Sequence, residues 1–268
     1  PIKSTPELKP WKEFLARMKN ATESVRIGLV GKYVELPDAY KSINEALFQA
    51  ATYNDRKLDL KLIHSEKINK DNVEEMLGSM DGIIIAPGFG QRGIEGKFIA
   101  LKYTREHDVP TFGICLGMQC MVIEFARDVL GYTDANSTEM EVSTSHNVID
   151  LMESQKSISN MGGTMRLGEY DCILQEGSKA AKAYNSTHIK ERHRHRFEFN
   201  SDYRDEFEKA GMKCVGENPD THLVEVVEIP NLKWFVGVQY HPEYNSTVLK
   251  PNPLFIDFIK AAIENKKK

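Results

Sequence analysis

The chain has 268 residues and a formal net charge of −4, and 41% of its residues are hydrophobic. That length suits one large α/β domain or two small ones, and it buries enough surface for folding without disulfides or a structural metal. The negative charge argues against a nucleic-acid-binding surface, and no apolar run approaches the roughly 20 residues of a membrane span, so no nucleic-acid or membrane partner is expected.

The cysteines show neither paired C-x-x-C spacing nor the density of a secreted disulfide scaffold. They are Cys115, Cys120, Cys172 and Cys214. Both a metal site and a disulfide framework are therefore disfavoured. Reduced thiols in a cytoplasmic protein are the expectation.

The N-terminal stretch is predicted to be a linker that ends in a docking helix. Residues 1–22 contain three prolines and four lysines around one short apolar stripe, formed by Trp11, Phe14, Leu15 and Met18 at helical spacing. Such a composition suggests a segment that joins this part of the chain to the rest of a longer protein. We therefore predict a linker over residues 1–22 and one globular domain over residues 23–268.

Strands and helices alternate through the first half of that domain. Strands are predicted over residues 25–31, 58–64 and 82–86, and helices over residues 40–53 and 96–107. A short helix that ends at Leu77 can be capped by Asp71. This alternation predicts a doubly wound α/β sheet.

A loop with four glycines, residues 87–96 (PGFGQRGIEG), follows the third predicted strand. The carboxyl edge of the strands is where open α/β sheets bind ligands. A dinucleotide-binding loop is the rival interpretation, because G-F-G-Q-R-G fits the G-x-G-x-x-G pattern. That interpretation is disfavoured, because the strand is late in the chain and the expected acidic residue is missing at the right distance.

Residues 110–119, PTFGICLGMQ, are typical of a nucleophile elbow built on cysteine. A β-rich run stops at Cys115, glycines lie two residues to either side, and a helix-like run follows. The amide groups and the positive dipole end of a helix beginning at Leu116 would favour a thiolate and stabilise an oxyanion. A buried structural cysteine between two loop glycines is the alternative.

Later in the chain, strands are predicted over residues 147–151 and 163–174, and residues 191–199 (ERHRHRFEF) alternate strictly. On a strand, the three arginines share one face, and His193 and His195 share the other. A zinc site at the histidines is disfavoured, because no carboxylate or thiol lies at ligand spacing. The arginine face suits a carboxylate or a phosphate.

A further strand over residues 234–240 ends in His241-Pro242-Glu243. The histidine can deprotonate a thiol, and the carboxylate two residues on can orient the imidazole and stabilise its cation. Taken alone, H-P-E is more often a surface turn. Its position downstream of the elbow, at the end of a strand, favours the catalytic interpretation. An amphipathic helix over residues 253–265 closes the domain.

Together, the glycine loop, G-I-C-L-G-M-Q and H-P-E resemble the class I (triad) glutamine amidotransferases over nearly the whole chain. Within that superfamily, R-G-I-E-G, I-E-F-A-R, N-S-T-E, G-G-T-M-R-L-G, E-R-H-R-H-R-F-E and V-G-V-Q-Y-H-P-E resemble the CTP synthase family. The resemblance implies a flavodoxin-like, doubly wound, mostly parallel sheet flanked by helices, with extra antiparallel strands.

The resemblance also implies that this chain is the C-terminal glutaminase domain of a larger enzyme. The N-terminal synthetase domain, with its ATP, UTP and Mg sites, is not in this chain. No cofactor and no metal are expected in this domain. GTP is the expected allosteric activator, and a homotetramer is expected for the full-length enzyme.

Residue roles follow from the matching motifs. Cys115 would attack the side-chain amide of L-glutamine, His241 would act as base and then as acid, and Glu243 would orient His241. The positions that match the family's glutamine site are Gly88, Leu116, Gly117, Met118, Gln119, Glu139 and Arg196. Arg196 suits the α-carboxylate of the substrate and Glu139 its α-ammonium group. The N–H groups of Leu116 and Gly88 would form the oxyanion hole.

Two features of the glycine loop complete the comparison with the family. Arg92, Gly93, Glu95 and Gly96 resemble the lid through which GTP promotes glutaminase action. Pro87 stands where the family commonly has the first glycine of P-G-G-F-G. Because proline has no N–H, Gly88 must supply that oxyanion donor, and we expect the hole to be only partly formed without substrate.

Two alternatives remain open. A free-standing γ-glutamyl thiol hydrolase would share the elbow, but it would not need Glu139 and the arginine-rich strand. A catalytically idle regulatory module would keep the fold, but loss of Cys115, His241 or Glu243 would be its simplest sign, and all three residues are present.

Overall fold

The computed structural model describes residues 7–36, 38–151 and 165–266. In chain order, the strands of this part of the chain are β1 (Ser24–Gly31), β2 (Lys57–His64), β3 (Gly82–Ile85), β4 (Thr111–Ile114), β5 (Ile149–Leu151), β6 (Arg166–Leu174), β7 (His188–His195), β8 (Phe197–Phe199), β9 (Lys213–Glu217), β10 (Val224–Glu228) and β11 (Phe235–Val238). The helices are α1 (Lys9–Asn20), α2 (Lys41–Tyr53), α3 (Val73–Leu77), α4 (Ile94–Glu106), α5 (Leu116–Asp128), α6 (Lys179–Tyr184), α7 (Arg204–Ala210) and α8 (Pro253–Lys266).

One sheet organises the described residues, with nine strands in the order β2-β1-β3-β4-β11-β10-β9-β6-β7. The first five strands of this order run parallel to one another, and every later pairing is antiparallel. A separate antiparallel pair joins β5 and β8. The predicted doubly wound, mostly parallel sheet with extra antiparallel strands is confirmed.

Helices cover both faces of the parallel half, so its central strands are buried on both sides. Ile84 of β3 packs in the core cluster that contains α2 and α8, whereas its neighbours Ile83 and Ile85 pack in the cluster that contains α4 and α5. All four residues of β3 are buried. A strand that is covered on both faces needs a continuous apolar run, which explains the sequence G-I-I-I.

Several predicted boundaries differ from the structure. Asp71 does not cap α3: the side chains of Asn69 and Asn72 accept hydrogen bonds from the backbone of this turn, and α3 begins after Asn72. Helix α4 begins at Ile94, two residues before the predicted start, because Gly93 adopts a left-handed φ of 72° at its N-cap. The predicted strand over residues 163–174 begins outside the described residues, and β6 begins at Arg166.

The alternating run 191–199 is two strands rather than one. β7 ends at His195 and β8 begins at Phe197, and the two strands belong to different sheets. The sequence pattern could not reveal this break. The alternating residue types continue through Arg196, whereas the strand to which the backbone is hydrogen-bonded changes there.

The predicted N-terminal helix is present as α1, and its apolar stripe stays largely open. Phe14 meets Phe48 of α2 edge-on, with ring centroids 6.1 Å apart, whereas Trp11 and Leu15 are 45% and 44% exposed. The interpretation of residues 1–22 as a linker remains a prediction. Within the described ranges, no helix is long and apolar enough to cross a membrane.

Candidate active site

Cys115 occupies a sharp turn between β4 and α5, with a φ of 53° and a ψ of −107°. A positive φ is strained for a residue with a side chain. The glycines on either side permit the turn, because a Cβ on Gly117 would lie 2.1 Å from the carbonyl oxygen of Ile85, and one on Gly113 would lie 2.8 Å from the carbonyl carbon of Gly117. The predicted elbow geometry is present.

His241 and Glu243 come together in the short 3-10 turn after β11. The Nδ1 atom of His241 lies 2.7 Å from Oε1 of Glu243, and both side chains are buried. The ring of Tyr244 stacks on the imidazole at 4.9 Å between centroids. The carboxylate therefore sets the tautomer and orientation of the imidazole, so that Nε2 is the nitrogen that can exchange a proton with the Cys115 sulfur.

The charge state of His241 depends on the groups that surround it. Burial lowers the pKa of His241, but its interactions with the Cys115 sulfur and with the Glu243 carboxylate outweigh burial and raise that pKa to about 11. An imidazolium beside the sulfur stabilises a thiolate, which is the reactive form of cysteine. Cys115, His241 and Glu243 can therefore act as an activated thiol nucleophile with an oriented acid–base partner.

One small cavity joins the elbow to the glycine loop. It is lined by Gly88, Phe89, Cys115, Gln119, Glu139, His195, Arg196 and Phe197. The glycine loop and the elbow cysteine therefore face each other across this cavity. The cavity holds about 30 Å³, which leaves room for about one water molecule. An amino-acid substrate could bind only if part of this lining moved.

Opposite charges lie at two points of this cavity. Oε1 of Glu139 accepts a hydrogen bond from the backbone N–H of Gly90 at 2.9 Å and so holds the glycine loop. The Nε atom of Arg196 is buried and, within the described residues, has no hydrogen-bond partner. A guanidinium N–H without a partner is suited to a carboxylate.

Three of the predicted glutamine-site residues, Leu116, Gly117 and Met118, do not line the cavity. Gly117 packs its backbone against Ile85, and Met118 packs against Gly237 of β11. Both are in the first turn of α5, where they hold the elbow against the sheet. Leu116, the predicted oxyanion donor, lies beside Gly88, the other predicted donor.

The predicted lid residues lie around the start of α4, outside the cavity lining. Arg92 pairs with Glu66 at 3.3 Å and donates to the carbonyl of Lys32 at 3.2 Å. Glu95 is exposed and pairs with Arg127. A Cβ on Gly96 would lie 1.8 Å from the backbone oxygen of Ser65, so this glycine permits close helix packing. The role of this segment as a lid stays a prediction.

Two lysines that support the glycine loop were missed in the sequence. Lys32 directly follows β1, and its Nζ donates to the carbonyl oxygens of Phe89 and Gly90. Lys97 is fully buried, and its Nζ donates to the carbonyl of Ala86 at 2.6 Å; burial lowers the pKa of Lys97 to about 8. The position of Lys32 at the ligand-binding edge of the sheet was the available signal. No sequence signal marked Lys97.

A closed ring of five buried charged or polar side chains, which we name the charge ring, backs the wall of the cavity at His195. Arg166 Nη1 lies 2.6 Å from Oε1 of Glu225, and Oε2 of Glu225 lies 3.3 Å from Nε2 of His193. His193 Nδ1 meets Nε2 of His195 at 2.8 Å. Nδ1 of His195 then lies 3.2 Å from Glu198, which lies 3.7 Å from Arg166 and closes the ring.

Burial sets the protonation of the charge ring. It lowers the pKa values of His193 and His195, so both imidazoles are neutral. Burial, together with the nearby Glu225, raises the pKa of Glu198 well above its usual value, and burial raises the pKa of Glu225 to about 7 against the opposing effect of Arg166. Burial therefore favours the protonated form of Glu198, whereas Arg166 favours the ionised form of Glu225. In the described part of the chain, no group of three or more His, Cys, Asp or Glu side chains is arranged to hold a metal ion.

Comparison with known proteins agrees with this geometry. The glutamine amidotransferase class-I family matches residues 35–261. CTP synthase of Bacteroides fragilis is 67% identical over 264 residues, which are 98% of this chain and 50% of that protein. CTP synthase of Porphyromonas gingivalis is 65% identical over 263 residues, which are 98% of this chain and 49% of that protein. This chain spans about half the length of the curated relatives it matches.

A solved structure gives the same result in three dimensions. The glutaminase domain of Trypanosoma brucei CTPS, with bound acivicin, superposes with a TM-score of 0.85 at 36% sequence identity. The match covers 90% of this chain and 94% of that one. With the elbow, the oriented histidine and the fold all in agreement, this chain belongs to the class-I glutamine amidotransferase family.

Proposed function

We propose that this chain is the glutaminase domain of a CTP synthase, in which Cys115, His241 and Glu243 hydrolyse L-glutamine and release ammonia. The observation that carries the proposal is the interaction of the oriented His241–Glu243 pair with the elbow thiol, which lines a cavity with one anionic and one cationic group. The identity to CTP synthases over 98% of the chain supports this choice within the family.

The cavity charges suit the zwitterionic end of glutamine. The guanidinium of Arg196, whose buried Nε has no partner among the described residues, would receive the α-carboxylate, and Glu139 would receive the α-ammonium group in exchange for the N–H of Gly90. Release of Gly90 from Glu139 would also free the glycine loop to move, which enlarges a cavity that is now too small for the substrate. Substrate entry and loop movement are coupled through this carboxylate.

Hydrolysis would proceed through a thioester. The Cys115 thiolate attacks the side-chain carbonyl carbon, and the resulting oxyanion is stabilised by the N–H groups of Leu116 and Gly88, each worth about 3 kcal/mol. His241 gives its proton to the departing ammonia. His241 then takes a proton from water, whose oxygen attacks the thioester carbon, and glutamate leaves as the thiolate re-forms.

In the full-length protein, the ammonia would reach a synthetase domain of the same chain and aminate UTP, activated by ATP with Mg, to give CTP. We place this reaction in the cytoplasm and the full-length enzyme in a homotetramer. GTP would act through the segment of Arg92, Gly93, Glu95 and Gly96. Because this chain alone lacks the surface that would close the segment, we expect slow glutamine hydrolysis by it.

The test is intact-mass analysis after incubation with 6-diazo-5-oxo-L-norleucine, an electrophilic glutamine mimic, with and without excess glutamine. We expect one adduct on the wild-type chain, no adduct on Cys115→Ser, and protection by glutamine. Cys120→Ser is the matched control, because Cys120 lies on α5 within two turns of Cys115 but is fully buried, and burial raises its pKa to about 11. Its adduct should equal that of the wild type.

Any of three results would overturn the glutaminase proposal. An adduct that persists in Cys115→Ser would place the reactive group elsewhere. The absence of glutamine protection would favour a free-standing thiol hydrolase of other specificity or, with no adduct at all, an idle module.

A further inference from the structure

Gln239 follows β11, is fully buried and touches the nucleophile. Its Nε2 lies 3.7 Å from Sγ of Cys115, and its Oε1 accepts a hydrogen bond from Nε2 of Gln119 at 3.2 Å. Its backbone N–H donates to the carbonyl of Glu225 at 2.8 Å, which holds the residue against β10. The side chain therefore bridges the sulfur and a residue of the glutamine cavity.

The direction of this bridge is set by a backbone group. Nε2 of Gln119 also donates to the carbonyl oxygen of Phe197 at 2.9 Å. Because a carbonyl can only accept, Gln119 must turn its NH₂ group toward Phe197 and Gln239. Gln239 must then turn its oxygen to Gln119 and its own NH₂ group to the sulfur. Flipping either amide would bring two acceptors or two donors face to face.

This donor stabilises the ionised sulfur more than the neutral thiol, because a thiol sulfur is only a weak acceptor. A neutral Cys115 thiol has an acceptor of its own, the carbonyl oxygen of Arg194 at 3.9 Å, whereas a thiolate can only accept. An N–H that points at the sulfur from a fully buried side chain therefore favours the thiolate.

We propose that the side-chain amide of Gln239 is a further catalytic group of this site, which donates a hydrogen bond to the Cys115 thiolate. The proposal rests on the proposed glutaminase function for its role in turnover. The hydrogen bond raises the fraction of Cys115 that is ionised, and therefore nucleophilic, before the attack on glutamine. It also assists the later step in which water breaks the thioester, because the sulfur leaves as a thiolate.

The test uses Gln239→Met, which keeps the length of the side chain and removes the donor. The readout is the rate at which iodoacetamide alkylates Cys115, located by peptide mass, as a function of pH. Since a hydrogen bond to a charged group is worth roughly a factor of ten or more, we expect alkylation at pH 7 to be about tenfold slower. The difference between the two rates should shrink as pH rises, because added base favours the thiolate in both proteins.

The matched control is Gln49→Met. Gln49 is also a buried glutamine whose amide makes a side-chain hydrogen bond, to Ser246, but it lies on α2 outside the cavity lining. Its alkylation curve should equal that of the wild type. If Gln239→Met does not fold, Gln239→Asn retains an amide, draws the donor back from the sulfur and should slow alkylation at pH 7 in the same way.

Equal alkylation rates at pH 7 for wild type and Gln239→Met would overturn the proposal. A rate lowered by one constant factor at every pH would also overturn it, because that result reports access to the sulfur and not its ionisation. Labelling by 6-diazo-5-oxo-L-norleucine separates the two proposals. Glutamine-protected labelling with unchanged alkylation refutes the Gln239 role alone, whereas a changed alkylation curve without labelling refutes the glutaminase function alone.

Discussion

The two walls of the cavity are positioned by different physical means. The elbow wall, where β4 turns into α5 at Cys115, is held by close backbone packing at Gly113 and Gly117 among apolar neighbours. The opposite wall, residues 195–197, is backed by the charge ring, whose members come from β6, β7, β8 and β10. The first wall tolerates no added volume, and the second tolerates no unbalanced charge.

The largest effect is expected from adding one methyl group to the elbow wall. Gly117→Ala would place a Cβ 2.1 Å from the Ile85 oxygen, so the elbow must open, and we expect a loss of at least about 3 kcal/mol in the free energy of unfolding, measured by urea titration. Gly131→Ala is the control, because Gly131 has a φ of 81° but no neighbour within 4 Å of an added Cβ. Strain alone should cost about 1 kcal/mol there. Equal losses would show that backbone packing does not position the elbow wall.

The charge ring offers a matched pair of isosteric substitutions. Glu225→Gln removes the carboxyl group that pairs with the buried Arg166 and should cost about 3 kcal/mol in the free energy of unfolding. Glu198→Gln should cost less than about 1 kcal/mol, because an amide replaces a carboxyl group that already carries its proton. Urea titration of both variants at pH 7 measures the difference. A larger loss for Glu198→Gln would reverse the protonation assigned to the ring.

A buried carboxyl group on β7, the strand that leads into the opposite wall, should also make the free energy of unfolding depend on pH. Burial raises the pKa of Glu191 to about 7, although Tyr184, Asn245 and Asn252 donate hydrogen bonds to it. The folded state therefore binds a proton that the unfolded state has lost between about pH 4.5 and pH 7, so this carboxyl group lowers stability as pH rises through that window.

Glu191→Gln removes this titration. The wild type should lose about 3 kcal/mol more than the variant between pH 4.5 and pH 8, measured by urea titration at each pH. Parallel stability curves for the two proteins would mean that Glu191 titrates at its ordinary pKa in the folded state.

The smallest effect is expected on ligand binding at the opposite wall, residues 195–197. Arg196→Lys keeps the charge but loses the planar fork, so we expect the glutamine concentration that gives half-maximal protection from the electrophilic mimic to rise about tenfold. Arg194→Lys is the control, because Arg194 is exposed and stacks over Phe89. A similar rise in both variants would assign the effect to general positive charge at this wall.

The sequence predicted the elements that depend on local patterns. The strands of the parallel half, the elbow at Cys115 and the H-P-E turn were all visible as short motifs, and their positions agree with the structure to within a few residues. The errors occurred where a competing local contact or a distant partner decides. Asn69 and Asn72 displaced Asp71 from the cap of α3, and a change of partner strand broke the run 191–199 at Arg196.

The sequence by itself determined the elbow, a cysteine between two glycines where a strand turns into a helix. This was possible because the steric limits on a backbone turn depend on neighbouring residues, and the order of strands can be read along the chain. Only the tertiary structure decided which polar groups meet. Gln239 and Cys115 are 124 positions apart, and Arg166 and Glu225 are 59 positions apart. Their pairing depends on the order of strands in the sheet. The burial created by that packing sets the protonation of each carboxyl group and imidazole, and it selects the partner of each amide.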